Sequence, residues 1–149
     1  MLALCSFLLA GCAPFRAYTG PKAPRSDVAI IEVNHPVDQV MSGSEETVYL
    51  RKVNGFITAK DRVAVLPGPC EIEVGYRSGD DDERRAISQR NVRIEFKAEA
   101  GVAYAVYARR LWSKGHWYAV VWGSGREIAR SENGVIVIKG PPQKAPSHP

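Results

Sequence analysis

The chain has 149 residues, a formal net charge of +4 at pH 7 and 45% hydrophobic residues. That length suits one compact domain, because domains cluster at about 100–150 residues, and it excludes an enzyme with separate cofactor and substrate domains. Charged residues make up 24% of the chain and aromatic residues 9%, so disorder throughout the chain is excluded as well.

The N-terminal stretch is apolar, and no side chain is charged before Arg16. This run is too short for a transmembrane helix, which needs about 20 apolar residues. It matches the apolar core of a secretory signal, which spans about 7–15 residues and ends at small residues. We therefore predict a signal peptide over residues 1–11. No Lys or Arg precedes Cys12, which indicates a signal whose first part lies upstream of Met1.

The signal ends in a motif that resembles the lipobox of bacterial lipoproteins, Leu9-Ala10-Gly11-Cys12. In that family a signal peptidase cuts before the cysteine, and the thiol is then diacylated. The resemblance implies a membrane anchor of acyl chains on Cys12, and two or more chains hold a protein far better than one. An ordinary buried cysteine in an N-terminal helix, or a signal peptide without lipid, is the alternative.

The residue that follows the lipidated cysteine predicts which of the two membranes holds the protein. In many proteobacterial lipoproteins an Asp at this position retains the protein in the inner membrane. Ala13 stands there in this chain. The resemblance therefore implies the outer membrane, on its periplasmic side.

Three cysteines are present, and the lipoprotein hypothesis accounts for two of them. Cys5 leaves with the signal and Cys12 carries lipid, so Cys70 has no partner for an intramolecular disulfide. The three histidines are too scattered to form a zinc site with it, and we predict no metal and no cofactor. Cys70 is expected to be a small buried apolar residue. The alternative is a nucleophile with His116 as its base.

Composition divides the mature chain into three parts. Residues 12–26 contain three prolines and show no periodicity, which predicts a lipidated tether. Residues 27–138 have strand-like patterns and are the predicted β-domain. Residues 139–149 contain four prolines and are predicted to be a disordered tail.

Several runs in the β-domain alternate between apolar and polar residues with a period of two. The clearest places Cys70, Ile72, Val74 and Tyr76 on one face. Asn54-Gly55 between two apolar runs predicts a hairpin with a type I′ turn. Strands are predicted over residues 28–33, 47–53, 56–58, 62–66, 70–77, 92–98, 102–112 and 116–123, with edge strands at 126–130 and 135–138 and a polar connection at 78–89. We therefore predict an all-β fold, a small antiparallel sandwich or open barrel of about seven to nine strands.

The strand at residues 116–123 is apolar on both faces, whereas a strand in a one-sided sheet should be polar on its outer face. Trp117, Ala119 and Val121 share one face. The other face carries Tyr118 and Trp122. Either a loop or the C-terminal strand covers this second face, or it forms an exposed binding patch with two residues of the neighbouring strand, Tyr107 and Arg109.

Other chemical signals are weak. The acidic run 80–83 could hold Ca²⁺, but it lacks the spaced ligands of an EF-hand and suits a solvated hairpin tip better. The arginine pairs 84–85 and 109–110 are typical of anion binding, yet export would keep the chain away from nucleic acid. The sequence contains no nucleophile elbow, phosphate-binding loop or zinc-protease motif, so an enzyme is not predicted.

The order of turn and core residues also resembles a group of small proteobacterial lipoproteins and the PEGA-type modules, which are short β-domains of cell-envelope proteins. The residues that carry this resemblance are Ala17-Tyr18-Thr19-Gly20-Pro21, Val53-Asn54-Gly55, Val65-Leu66-Pro67-Gly68, Ala98-Glu99-Ala100-Gly101, Tyr104 and Trp117. The resemblance covers most of the chain from Tyr18 to Arg130. Its motifs are turn glycines and core aromatic residues, which concern architecture, so it transfers no catalytic residue.

Two functions from different classes follow from these observations. The first is a non-enzymatic cell-envelope lipoprotein that acts as a structural or protein-interaction module. The second is a lipoprotein module that binds peptidoglycan or another glycan through its aromatic side chains.

Overall fold

A computed structural model of the chain describes residues 13–33, 46–79, 85–111 and 115–139. The fold is all-β, as predicted, with one short 3₁₀ turn at Arg25–Asp27. Twelve strands are described instead of the predicted seven to nine. Their bounds are β1 Phe15–Arg16, β2 Ala29–Val33, β3 Glu46–Val53, β4 Phe56–Ile57, β5 Arg62–Val65, β6 Gly68–Gly79, β7 Arg85–Ser88, β8 Val92–Ala98, β9 Ala103–Leu111, β10 His116–Gly123, β11 Arg126–Arg130 and β12 Gly134–Lys139.

The strands form one open sheet with the order β1-β5-β2-β9-β10-β12-β7-β6-β3-β4, in which β11 pairs with β10 and β8 pairs with β6. We call the part from β1 to β10, with β11, sheet A, and the part from β12 to β4, with β8, sheet B. The link between them is short, since Trp117 of β10 pairs with Gly134 of β12. Most neighbours are antiparallel, as predicted, but β1 with β5 and β2 with β9 are parallel.

Side chains from both sheets meet in one core. Tyr76 of sheet B stacks on Trp117 of sheet A, with ring centroids 5.3 Å apart. Phe96 of sheet B and Tyr104 of sheet A make a second aromatic contact, with ring centroids 5.0 Å apart and ring planes tilted by 58°. The two sheets therefore pack face to face like a sandwich whose layers share a continuous path of strand pairing.

The period-two patterns account for most of these strands. Cys70, Ile72, Val74 and Tyr76 are all buried, at 2% exposure or less, as the alternation predicts. The hairpin between β3 and β4 is also confirmed. Asn54 has a φ of 47° and Gly55 a φ of 82°, the two positive values that a type I′ turn requires.

Two strand predictions are wrong, and pairing explains both. The segment 78–89 was expected to be a polar connection, but β6 continues to Gly79 and β7 occupies Arg85–Ser88. Backbone pairing between these strands and with β12 replaces the missing apolar pattern. The C-terminal strand was expected at an edge, but it lies between β10 and β7, and Ile136 packs against the core.

The predicted tether is largely part of the folded domain. Phe15 and Arg16 pair with β5, and Ala17 is buried. Tyr18 and Ala23 then pack on the outer face of sheet A, against the cluster formed by Val28, Ile30 and Ala64. The predicted signal peptide, the lipobox-like residues Leu9 to Cys12, the acidic run 80–83 and the predicted tail after Lys139 lie outside the described residues.

Candidate functional site on the outer face of sheet A

Three strands, β9, β10 and β11, lie side by side and bring together all four residues of the predicted patch. Tyr118 of β10 lies opposite Arg109 of β9, and Val120 lies opposite Tyr107. Trp122 is the fourth outward residue of β10 and lies opposite the small side chain of Ala105. We call Tyr107, Arg109, Tyr118, Trp122 and Arg130 of β11 the aromatic face.

The two faces of β10 differ in burial, as the alternation predicts. Trp117, Ala119 and Val121 have no exposed surface and belong to the core. On the outer face, Trp122 is 43% exposed, while Tyr118 is half-buried. Val120, which lies between them, is only 5% exposed, so the exposure of this part of the strand is concentrated at Trp122.

The described part of the N-terminal segment covers a different region of the same outer face. Tyr18 and Ala23 pack on β2 and β5, where they shield Ile30 and Ala64 from water. The Tyr18 hydroxyl accepts a hydrogen bond from the backbone N–H of Ala23 at 3.2 Å, which closes this segment into a compact loop. Trp122 lies beyond β9, outside that cluster.

Arg130 is held in place by a carboxylate and an aromatic ring. Its Nε and Nη2 donate to the two carboxylate oxygens of Glu127 at 2.6 and 2.9 Å. Its guanidinium carbon lies 5.1 Å from the centroid of the Tyr118 ring, within the range of a cation–π contact. The hydrogen bond from Arg130 lowers the pKa of the Glu127 carboxyl, and the charge of Arg109 lowers it further.

The sequence patterns did not identify Arg130 and Glu127 as part of this surface. The pair needs the register between β10 and β11, in which Arg130 lies opposite Val120 and Glu127 opposite Trp122. The register also shifts between Val121 and Trp122. Such a bulge changes which residues of β11 face outward, so alternation along β11 alone could not have located them.

A second concave region lies where sheet A and sheet B meet at their free edges. Among the described strands, β8 pairs with β6 alone and β11 with β10 alone. A cleft of about 630 Å³, lined by both polar and apolar groups, lies between β8 and the connection from β11 to β12. Asn91, at its rim, donates a 2.9 Å hydrogen bond to Glu73, and this bond is the main cause of the lowered pKa of that carboxyl. Sequence reasoning missed this cleft because none of its residues forms a motif.

The geometry does not support the alternative in which Cys70 is a nucleophile and His116 is its base. Cys70 is 2% exposed, and burial raises the pKa of its thiol to about 12. A thiol with this pKa is protonated near neutral pH, whereas the thiolate is the nucleophile. His116 lies on the outer face of β10 with Tyr118, whereas Cys70 belongs to the core, so the two are not brought together.

Within residues 13–33, 46–79, 85–111 and 115–139, no three His, Cys, Asp or Glu side chains cluster closely enough to hold a metal ion. No helix in those same ranges is long and apolar enough to cross a membrane.

No family model matches the chain, and no match is found among the curated proteins or the solved structures.

Proposed function

We propose that this chain is a lipid-anchored protein of the cell envelope, without enzymatic activity, that docks a partner protein through the aromatic face. The observation that carries the proposal is the exposed indole of Trp122, which shares its sheet face with the two tyrosines and two arginines of the aromatic face. The lipobox-like motif at Leu9 to Cys12 supports the anchor, and Ala13 after Cys12 supports the periplasmic leaflet of the outer membrane.

The chemistry of the aromatic face favours a protein as its partner. Trp, Tyr and Arg are the residue types that carry most of the binding energy at protein interfaces. Arg130 is already fixed by Glu127 and Tyr118, so its ordering costs little when a partner binds.

The charges of this face indicate which partner groups fit it. Glu127 neutralises Arg130 through two hydrogen bonds. Arg109 lies opposite Tyr118 and is exposed, which leaves a positive charge beside the rings. We infer a partner surface with an apolar side chain for Trp122 and a carboxylate for Arg109.

The proposal of a non-enzymatic role has two supports. Burial raises the pKa of the Cys70 thiol, which argues against a thiolate nucleophile at this position. The aromatic face is also an open sheet surface, whereas enzymes react their substrates in water-excluded pockets.

Site-specific photocrosslinking in intact cells tests this function. A benzophenone amino acid at position 105, beside Trp122, should form an adduct with one defined envelope protein. The same group at Val137, which is 38% exposed on β12, is the matched control and should not form that adduct. Equal yields of this adduct at the two positions would contradict specific binding at the aromatic face.

A glycan is the second candidate ligand. The observation that favours it is the exposure of the Trp122 indole next to rings and guanidinium groups, which stack on sugars and bind their anionic substituents. Purified mature protein should then sediment with peptidoglycan sacculi, and Trp122→Ala should abolish this. Sedimentation that survives the substitution would remove the aromatic face as the glycan site.

A further inference from the structure

Very little free chain separates the proposed lipid anchor from the folded domain. β1 begins at Phe15, three residues after Cys12. Three fully extended residues span at most about 11 Å. Because Ala17 is already buried and Tyr18 packs on sheet A, residues 15–18 cannot act as a flexible spacer. The anchor and the domain are therefore nearly adjacent.

The pairing of β1 identifies which part of the domain lies next to the anchor. β1 runs parallel to β5, with Phe15 opposite Val63. In a parallel pair both strands begin at the same end, so the chain toward Cys12 leaves beside the residues that lead into β5. The backbone N–H of Val33 donates to the carbonyl of Asp61 at 2.9 Å, which fixes this connection against the end of β2.

The side chains in this region combine positive charge with exposed apolar surface. We call Arg16, Ile57, Lys60 and Arg62 the anchor rim; all four are exposed. Ile57 is 77% exposed, the highest value among the large apolar side chains in the described ranges. Glu32, opposite Arg62, and Asp61 offset part of the charge but leave the cations in excess.

The connection that carries Ile57 and Lys60 is well ordered by hydrogen bonds. The backbone N–H of Thr58 donates to the carbonyl of Arg51 at 3.0 Å. The Thr58 hydroxyl accepts from the backbone N–H of Lys60, also at 3.0 Å, and Thr58 itself is only 6% exposed. Ile57, the last residue of β4, and Lys60, on the connection to β5, are thus held in fixed positions.

We propose that the anchor rim rests directly on the phosphate headgroups of the membrane that holds Cys12, a proposal that depends on the lipidation of Cys12 proposed above. The headgroup layer on each side of a bilayer is about 5–8 Å thick, comparable with the 11 Å reach of the linker, so the domain has no room to stand away from it. Lysine and arginine favour anionic lipid surfaces, and an exposed isoleucine among them can enter the interfacial layer.

Fluorescence quenching by brominated lipids tests the contact in the full mature protein. The lipidated chain is purified with Cys70→Ala, so that a fluorophore can be attached at Ala59→Cys, between Ile57 and Lys60 of the rim, or, as a control, at Ala100→Cys. Ala100 is exposed and precedes β9, at the end of sheet A where β5 ends. In nanodiscs of phosphatidylethanolamine and phosphatidylglycerol, quenching should be several-fold stronger at position 59. Equal quenching at both positions, or stronger quenching at 100, would overturn the proposal.

Charge reversal tests the role of the cations. Lys60→Glu with Arg62→Glu should remove most of the quenching at position 59 that depends on phosphatidylglycerol, because each basic side chain contributes about fivefold to headgroup affinity. The matched pair Arg90→Glu and Lys97→Glu, both exposed and outside the rim, should leave it unchanged. Undiminished quenching in the rim variant would contradict headgroup binding by these residues.

The acyl mass of the same purified samples separates the two proposals. An acylated protein with equal quenching at both positions would overturn the rim contact and leave the anchor intact. A protein without acyl chains would contradict the anchor, and the rim proposal with it.

Discussion

Tyr76 and Trp117 stack across the interior with ring planes 29° apart, and each has no exposed surface. Tyr76 belongs to β6 in sheet B and Trp117 to β10 in sheet A, so this contact joins the two layers of the fold. Trp117 also lies against Gly134 of β12, where an added Cβ would meet its indole nitrogen and Val92. The pairing of β10 with β12, which joins the two sheets, is thus packed against the side chain of Trp117.

Replacing that tryptophan should cost a large part of the stability of the domain. We expect Trp117→Ala to lower the free energy of unfolding by about 3–5 kcal/mol, the range for a buried aromatic side chain. Trp117→Phe, which retains most of the apolar contact, is the matched control and should cost less. Urea unfolding measures both, and a loss below about 1 kcal/mol for the alanine variant would contradict this packing.

The hairpin between β3 and β4 should depend on backbone conformation at Gly55. Its φ is 82°, and nothing lies within 4 Å of an added Cβ, so any loss must come from backbone strain and not from a clash. Gly55→Val should cost about 1–3 kcal/mol, because a β-branched residue strongly disfavours positive φ. Gly55→Asn, whose side chain tolerates this region, should cost much less. Similar thermal melts for the two variants would count against this explanation.

The buried thiol should make stability depend on alkaline pH. Burial raises the pKa of Cys70 to about 12, whereas an unfolded chain ionises this thiol at about 8.5–9. The unfolded state then binds fewer protons than the folded state above pH 9, so this group's contribution is complete below pH 9 and is lost as pH rises toward 12. The predicted slope is about −1.4 kcal/mol per pH unit.

Cys70→Ala isolates that contribution. The variant should lose a modest amount of stability at pH 7 from the small cavity, and its free energy of unfolding should fall less steeply than the wild type between pH 9 and 10.5. Parallel pH profiles for the two proteins would show that Cys70 ionises as easily in the folded state as in the unfolded chain.

Lipidation and sorting can be measured in cells. Cys12→Ser should abolish incorporation of a palmitate analogue, because serine cannot form the thioether to the lipid. Label that persists in the variant would exclude Cys12 as the lipid site. For the wild type we expect sucrose-gradient fractions that coincide with outer-membrane markers, and coincidence with inner-membrane markers would exclude the sorting inferred from Ala13.

Patterns within short stretches of the sequence predicted those parts of the fold that depend on residues close together in the chain. The alternation from Cys70 to Tyr76 reports burial on one face of β6, and Asn54-Gly55 has the positive φ values of its turn. Phe15 and Arg16 could not be recognised as a strand, since two residues have no periodicity and their pairing with β5 is a long-range contact.

The candidate site was predictable in part, for the same reason. Tyr118 and Trp122 were placed on one face by alternation alone, and neighbouring strands supplied Tyr107 and Arg109. The ion pair between Glu127 and Arg130 depends on a register shift beside Trp122, and no pattern within β11 alone predicts that shift. The anchor rim likewise depends on the parallel pairing of β1.

The central claim is that Trp122 serves binding and not folding, and Trp122→Ala tests this most directly. With 43% of the side chain exposed, we predict a change in the free energy of unfolding below about 1 kcal/mol, together with loss of the envelope adduct formed by the crosslinker at position 105. Val137→Ala should affect neither measurement. A loss of about 3–5 kcal/mol, or an undiminished adduct, would contradict the account.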